Sequence, residues 1–119
     1  VEQNDDQTDI DWLCKKISSL RIFNDEQGKM NLSITDVQGA FLVISQFTLH
    51  AQTKKGNRPS YKRAAPPKAA KLLYEQFIEQ LQNHSNYPIQ SGIFGADMKV
   101  ELLNDGPVTI LLDSKQKEF

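Results

Sequence analysis

The chain has 119 residues, of which 39% are hydrophobic and 24% charged, enough for one domain with a modest core. Fourteen Lys and Arg against fifteen Asp and Glu leave a net charge of −1, so no overall basic excess marks a nucleic-acid binder. One cysteine excludes an intramolecular disulfide framework, one Cys with two distant His supplies no zinc spacing, and no apolar run reaches membrane-spanning length. No zinc site is expected, and the setting expected is reducing and cytoplasmic.

The acidic opening VEQNDDQTDID leads into a helix. Thr8 with Asp11 three residues on reads as a capping-box variant, and Ile10, Leu13, Ile17 and Leu20 recur at helical spacing, predicting a helix over about Asp9 to Leu20. The polar stretch NDEQGKMN, with Gly28, reads as a turn. After Gly39, AFLVISQFTL combines β-branched and aromatic residues with apolar character on both faces and predicts a central strand. Alternation along that strand would put Gln46, Thr48 and His50 on one face and Ser45, Phe47 and Leu49 on the other.

A basic loop follows, with Lys54, Lys55, Arg58, Lys62 and Arg63 within ten positions, punctuated by Gly56 and Pro59. Pro66 and Pro67 suit the first turn of a second helix, whose apolar face (Ala70, Leu73, Tyr74, Phe77, Leu81) runs to about Gln82. Three short strand candidates, IQSGIF, MKVELL and VTILLD, complete the order, separated by FGAD and NDGP.

Several constellations carry a chemical and a plain reading. Ser45, His50 and Asp97 or Asp113 have the residue types of a hydrolase triad, but a regular strand points Ser45 and His50 to opposite faces and no GxSxG elbow is present. Thr48 is the better nucleophile or positioning candidate because it shares a face with Gln46. Cys14 fits a buried small hydrophobe, His84 a helix C-terminal partner, and Trp12 core or interface packing. The basic loop suggests an anionic partner, against the plain reading of a solvated loop. NDGPVT places a Gly-Pro bond between two strands, where either peptide isomer is open to the sequence.

Taken in order, SQFTL at 45–49, KKGNRPSY at 54–61, AAPP at 64–67, FGADM at 94–98 and NDGPVT at 104–109 resemble the D-aminoacyl-tRNA deacylase family. The resemblance implies a three-layer α/β/β fold and one domain over residues 1–119. It also implies a chain that lacks about three N-terminal strands that family members carry before the first helix. It further implies hydrolysis of the ester of D-aminoacyl-tRNA and of Gly-tRNA, with L side chains excluded. In a homodimer, Gly106 and Pro107 of one subunit, joined by a cis bond, would enter the pocket of the other and capture the substrate's amino group. Ser45, Gln46, Phe47 and Thr48 would form the catalytic wall, with amides near Phe47 and Thr48 holding the carbonyl and the ribose 2′-OH assisting hydrolysis. Phe94, Gly95 and Met98 would line the adenosine or aminoacyl pocket, and Lys54, Lys55 and Arg58 would meet tRNA phosphates. A nucleic-acid-binding module of the same fold without deacylase activity is the alternative, as is a paralogue with a trans Gly-Pro and altered chirality tolerance.

Overall fold

Helix α1 (Gln7–Ser19) begins where two aspartates close its first turn. The computed structural model describes residues 1–118. The Asp6 carboxylate accepts from the Thr8 N–H at 2.8 Å, and the Asp9 carboxylate accepts from the Asp6 N–H at 2.9 Å. The capping box is therefore Asp6 with Asp9, two residues ahead of the expected Thr8 with Asp11. Both pairs have the right spacing, and the earlier one wins because Asp11 is engaged across the helix interface. Gln7 and Gln80 both donate to Asp11 Oδ1, at 2.8 and 2.6 Å.

Helix α2 (Pro67–Gln82) starts on the expected proline, whose missing N–H would have had no partner in the first turn. The two helices pack through Ile10 and Cys14 against Leu81, flanked by Ile17, Leu73 and Phe77. Cys14 is fully buried and its Sγ donates to the Phe77 carbonyl at 3.7 Å. Burial, reinforced by the charge of Asp11, pushes the thiol up to about 11, so at neutral pH it is a protonated packing group and no nucleophile.

Beneath the helices lie Phe41, Val43 and Ile89, which bring a short parallel pair to the core. Strand β3 (Leu42–Val43) pairs with strand β4 (Gln90–Ser91), with Gln90 N–H on the Phe41 carbonyl and Gly92 N–H on the Val43 carbonyl. A separate antiparallel hairpin joins β1 (Phe23–Asn24) to β2 (Met30–Leu32). Its turn is held by Asp25 Oδ1, which accepts from the N–H groups of Gln27 and Lys29, with Gly28 at φ +74°. The segment expected as a plain turn is thus a hairpin, and its strands are too short and polar to announce themselves.

The architecture is α/β, as expected, but the strands are shorter than the sequence suggests. The central strand ends at Val43 because β4, its neighbour, turns away after Gly92. There the Ala96 N–H bonds back to Ile93 and Gly95 takes φ +78°. Phe47–His50 is a 3₁₀ turn, so the strand alternation expected for Gln46, Thr48 and His50 does not hold. The MKVELL and VTILLD segments form no ladder among the described residues, and Leu102, Leu103, Ile110 and Leu111 are exposed. Strand character without a partner to bond leaves no sheet.

The end of the chain returns to α1. Lys115 Nζ lies 2.8 Å from Asp9 Oδ2, 3.4 Å from the Asn4 carbonyl and 3.9 Å from Asp5. Burial raises the Asp9 carboxyl, but the Lys115 ammonium and the Asp6 N–H outweigh it and leave the group below its ordinary 3.8. The bond to Asp9 raises Lys115 above its ordinary 10.5. Asp9, with a depressed folded value, adds stability that is complete above the unfolded value and lost as pH falls through the folded one. Lys115, with a raised value, adds stability lost only as pH rises through its folded one. We expect a urea midpoint that is flat from about pH 5 to 9 and falls below about pH 4. The acid fall should be shallower in Lys115→Met, and an equally steep fall in that variant would count against the pair. No helix among the described residues is long and apolar enough to cross a membrane.

Candidate active site

The turn at Phe47–His50 follows β3 after three residues, Ile44, Ser45 and Gln46. Its N-cap, Gln46, is extended (φ −151°, ψ 95°) and makes no side-chain capping bond. The N–H groups of Phe47 and Thr48, first in the turn, have no partner inside it. The Gln46 side chain instead donates from Nε2 to Thr48 Oγ1 at 2.6 Å, so the two residues meet even though no strand places them side by side.

An amide cannot take a proton from a hydroxyl, and this is the one side-chain bond that Thr48 makes among the described residues. Thr48 therefore has no base among the described residues. Nor is there a Ser45 triad. Asp97 is paired with Lys99, and Asp113 accepts from the Lys115 N–H, leaving neither aspartate on His50. No cluster of metal-ligating side chains occurs among the described residues.

Met98 is brought to the same end of β3. A groove of about 470 Å³ is walled by Leu42 and Ile44 on one side and by Ser91, Ile93, Met98 and Val100 on the other. Met98 Sδ covers Gly92 closely, so a Cβ there would have to push that flexible side chain aside. Phe94 turns inward, its ring 5.8 Å from that of Tyr74. The Tyr74 hydroxyl reaches the Val43 carbonyl at 3.1 Å and the Gly92 carbonyl at 3.0 Å, fixing the point where both strands end. The sequence assigned Tyr74 only to an apolar helix face, because periodicity reports the ring and is silent on the hydroxyl.

The basic loop leaves this turn and comes back to it. Gln52 and Ser60 exchange two backbone bonds, 2.8 and 3.0 Å, closing a neck below residues 53–59. Lys54, Lys55 and Arg58 are exposed on that loop and join no ion pair among the described residues. Arg63 is committed to Glu2 at 3.3 Å. Just past the neck, the Tyr61 ring meets the Phe47 ring edge to face, centroids 5.0 Å apart at 74°.

NDGPVT forms an exposed loop apart from these contacts. The Gly106-Pro107 bond is cis, and Gly106 has φ +138°. Asn104 closes the loop: its Oδ1 accepts from the Val108 N–H at 2.8 Å and its Nδ2 donates to Thr109 Oγ1 at 3.1 Å. Asn104 was not singled out from sequence, although an Asn ahead of Asp-Gly-Pro is the usual signal for a side chain that mimics a turn. Within one chain, then, Ile44 and Met98 line one groove, Ser45 to Thr48 follow Ile44 along the chain, Phe94 packs against Tyr74, and Gly106 and Pro107 are exposed on a loop closed by Asn104.

Comparison with known proteins adds the lineage. The family model described as D-Tyr-tRNA(Tyr) deacylase matches residues 1–113. A D-aminoacyl-tRNA deacylase of Bacteroides thetaiotaomicron is 63% identical over 118 residues, covering 99% of this chain and 79% of that protein. One of Christiangramia forsetii is 59% identical over 117 residues, covering 98% and 78%. The solved structure of c-Myc DNA Unwinding Element Binding Protein superposes with a TM-score of 0.88 at 41% identity, over 95% of this chain and 76% of that one. With that family model matched over residues 1–113 and these relatives 59–63% identical over 98–99% of the chain, the chain belongs to the D-Tyr-tRNA(Tyr) deacylase family.

Proposed function

We propose that this protein hydrolyses the ester joining a D-amino acid, or glycine, to the terminal ribose of tRNA, and that it rejects L-aminoacyl-tRNA by filling the space an L side chain would need. The observation that carries the mechanism is at the turn: among the described residues the Thr48 hydroxyl is held by the Gln46 amide with no base, while no acceptor takes up the neighbouring N–H groups of Phe47 and Thr48. That arrangement favours electrostatic stabilisation over a side-chain nucleophile. Two N–H groups aimed at the ester carbonyl hold the negative charge as it develops, and such a donor contributes about 2.7–4 kcal/mol to the transition state. The ribose 2′-OH, next to the ester, assists attack on it, and the protein supplies orientation. Met98 and the groove wall take the adenosine or aminoacyl group, with Phe94 and Gly95 shaping its edge. Lys54, Lys55 and Arg58 meet the tRNA phosphates.

Gly106 and Pro107 are exposed on a loop that Asn104 closes through Val108 and Thr109, and they make no hydrogen bond of their own among the described residues. They serve a pocket if a second copy is paired about a two-fold axis, each loop entering the other's groove. Their carbonyls then capture the α-amino group and their backbone occupies the forbidden side-chain position. The reaction needs no cofactor, and its place is the cytoplasm, where charged tRNA is used.

A binding-only role has one observation in its favour, the likeness to a protein named for binding DNA. Purified full-length chain separates the two readings. Release of D-Tyr from D-Tyr-tRNA well above the buffer rate is expected, whereas tight tRNA binding with no release would replace the enzyme by a binding module.

A further inference from the structure

We infer that Tyr61 is a positioning residue: its ring braces Phe47 and so couples the seat of the basic loop to the turn whose amides face the ester. This deepens the function proposed above and rests on it.

Three observations carry the inference. The neck between Gln52 and Ser60, with two backbone bonds, makes residues 53–59 a closed loop whose return strand delivers Tyr61 one residue later. Tyr61 then meets Phe47 in the edge-to-face geometry in which ring quadrupoles attract. Phe47 is 58% exposed and Tyr61 37%, so neither ring is core, and each is the other's aromatic partner. The Tyr61 hydroxyl makes no hydrogen bond among the described residues, so the ring is the active part.

A four-residue 3₁₀ turn with no capping side chain has little of its own to fix the direction of its first amides. A ring pinned to Phe47 supplies what the cap lacks. The chain runs from Phe47 through the neck to Tyr61, so phosphates that settle the loop also settle the turn. Loop engagement would then act on the chemical step as well as on binding.

The experiment measures kcat and KM of the full chain on D-Tyr-tRNA. Tyr61→Leu should lower kcat about 3- to 10-fold, the worth of an aromatic pair, with KM changed less than about twofold. Tyr61→Phe should restore the wild-type kcat. Phe47→Leu should fall by a similar factor, and the double variant Phe47→Leu with Tyr61→Leu should be no slower than the singles, as expected of two residues acting through one contact. An unchanged kcat in Tyr61→Leu, a loss confined to KM, or no rescue by Tyr61→Phe would overturn the inference.

Phe47→Pro tests the underlying reading on its own. Proline is accepted at the first position of a helical turn after an extended residue such as Gln46, and it removes the N–H. Compared with Phe47→Leu, which also lacks the ring, it isolates the amide. If the two are equally active, the amide reading fails. If Phe47→Pro is far slower while Tyr61→Leu matches wild type, the positioning role alone fails.

Discussion

On D-Tyr-tRNA that carries its amino acid on the 3′ oxygen and lacks the terminal 2′-OH, hydrolysis should fall on the order of 10²-fold, because the group that assists attack on the neighbouring ester is gone. Thr48→Ala should keep turnover within about tenfold of wild type, since it removes one hydrogen bond, from Gln46, and no general base lies on the hydroxyl. The pair of results matters more than either alone. A threonine nucleophile requires the reverse order: loss of turnover in Thr48→Ala, near-normal cleavage of the deoxy substrate, and a covalent adduct on Thr48 trappable by rapid acid quench. Finding that order would remove the RNA-assisted mechanism. Both substrates have to be charged on the 3′ position, otherwise migration of the acyl group between the two hydroxyls blurs the comparison.

Helix α2 was legible almost to the residue because its signals are local: a proline where the first N–H is spare and an apolar stripe at helical spacing. Helix α1 is legible as a helix but its cap is not, since Asp6 with Asp9 and Thr8 with Asp11 have identical spacing and Asp11 is engaged by Gln7 from its own helix and by Gln80 from across the interface. The strands were misjudged for a different reason. A ladder belongs to two segments, and β3 stops where β4 bends away at Gly92, whatever the propensity of ISQFTL. The meeting of Gln46 with Thr48 was anticipated, yet the wrong geometry was behind the expectation: a two-residue separation brings them together through a turn and a hydrogen bond, and no strand face is involved. Contacts such as Tyr61 on Phe47 and Tyr74 on two strand ends depend on how loops close, and no periodicity in the sequence reports that.

Gly106→Ala should lower the rate on D-Tyr-tRNA by about 10- to 100-fold, corresponding to strain of roughly 1–3 kcal/mol at a backbone position that side chains rarely adopt. Gly106 has φ +138°, and a Cβ there would lie 2.9 Å from Val108 Cγ2 and 3.2 Å from Val108 N. Neither atom can easily give way, because the Val108 N–H is held by Asn104 Oδ1 at 2.8 Å and the clashing methyl belongs to a stiff β-branched side chain. The loop must shift, and with it the carbonyls proposed to capture the amino group. Selection by exclusion fixes what should not happen as firmly as what should. A displaced loop loses the amino-group contact before it opens a side-chain-sized space, so L-Tyr-tRNA should remain uncleaved by the variant and by wild type alike. Glycine has no side chain to exclude, so wild type should cleave Gly-tRNA, and it should accept both D-Tyr and D-Asp despite their different sizes and charges. The measurement is initial rates on D-Tyr-, D-Asp-, Gly- and L-Tyr-charged tRNA with both proteins at equal folded concentration. Cleavage of L-Tyr by wild type near the D-Tyr rate, refusal of Gly, or a Gly106→Ala protein that gains L activity while keeping D activity would show that chirality is read by something other than the space this loop fills.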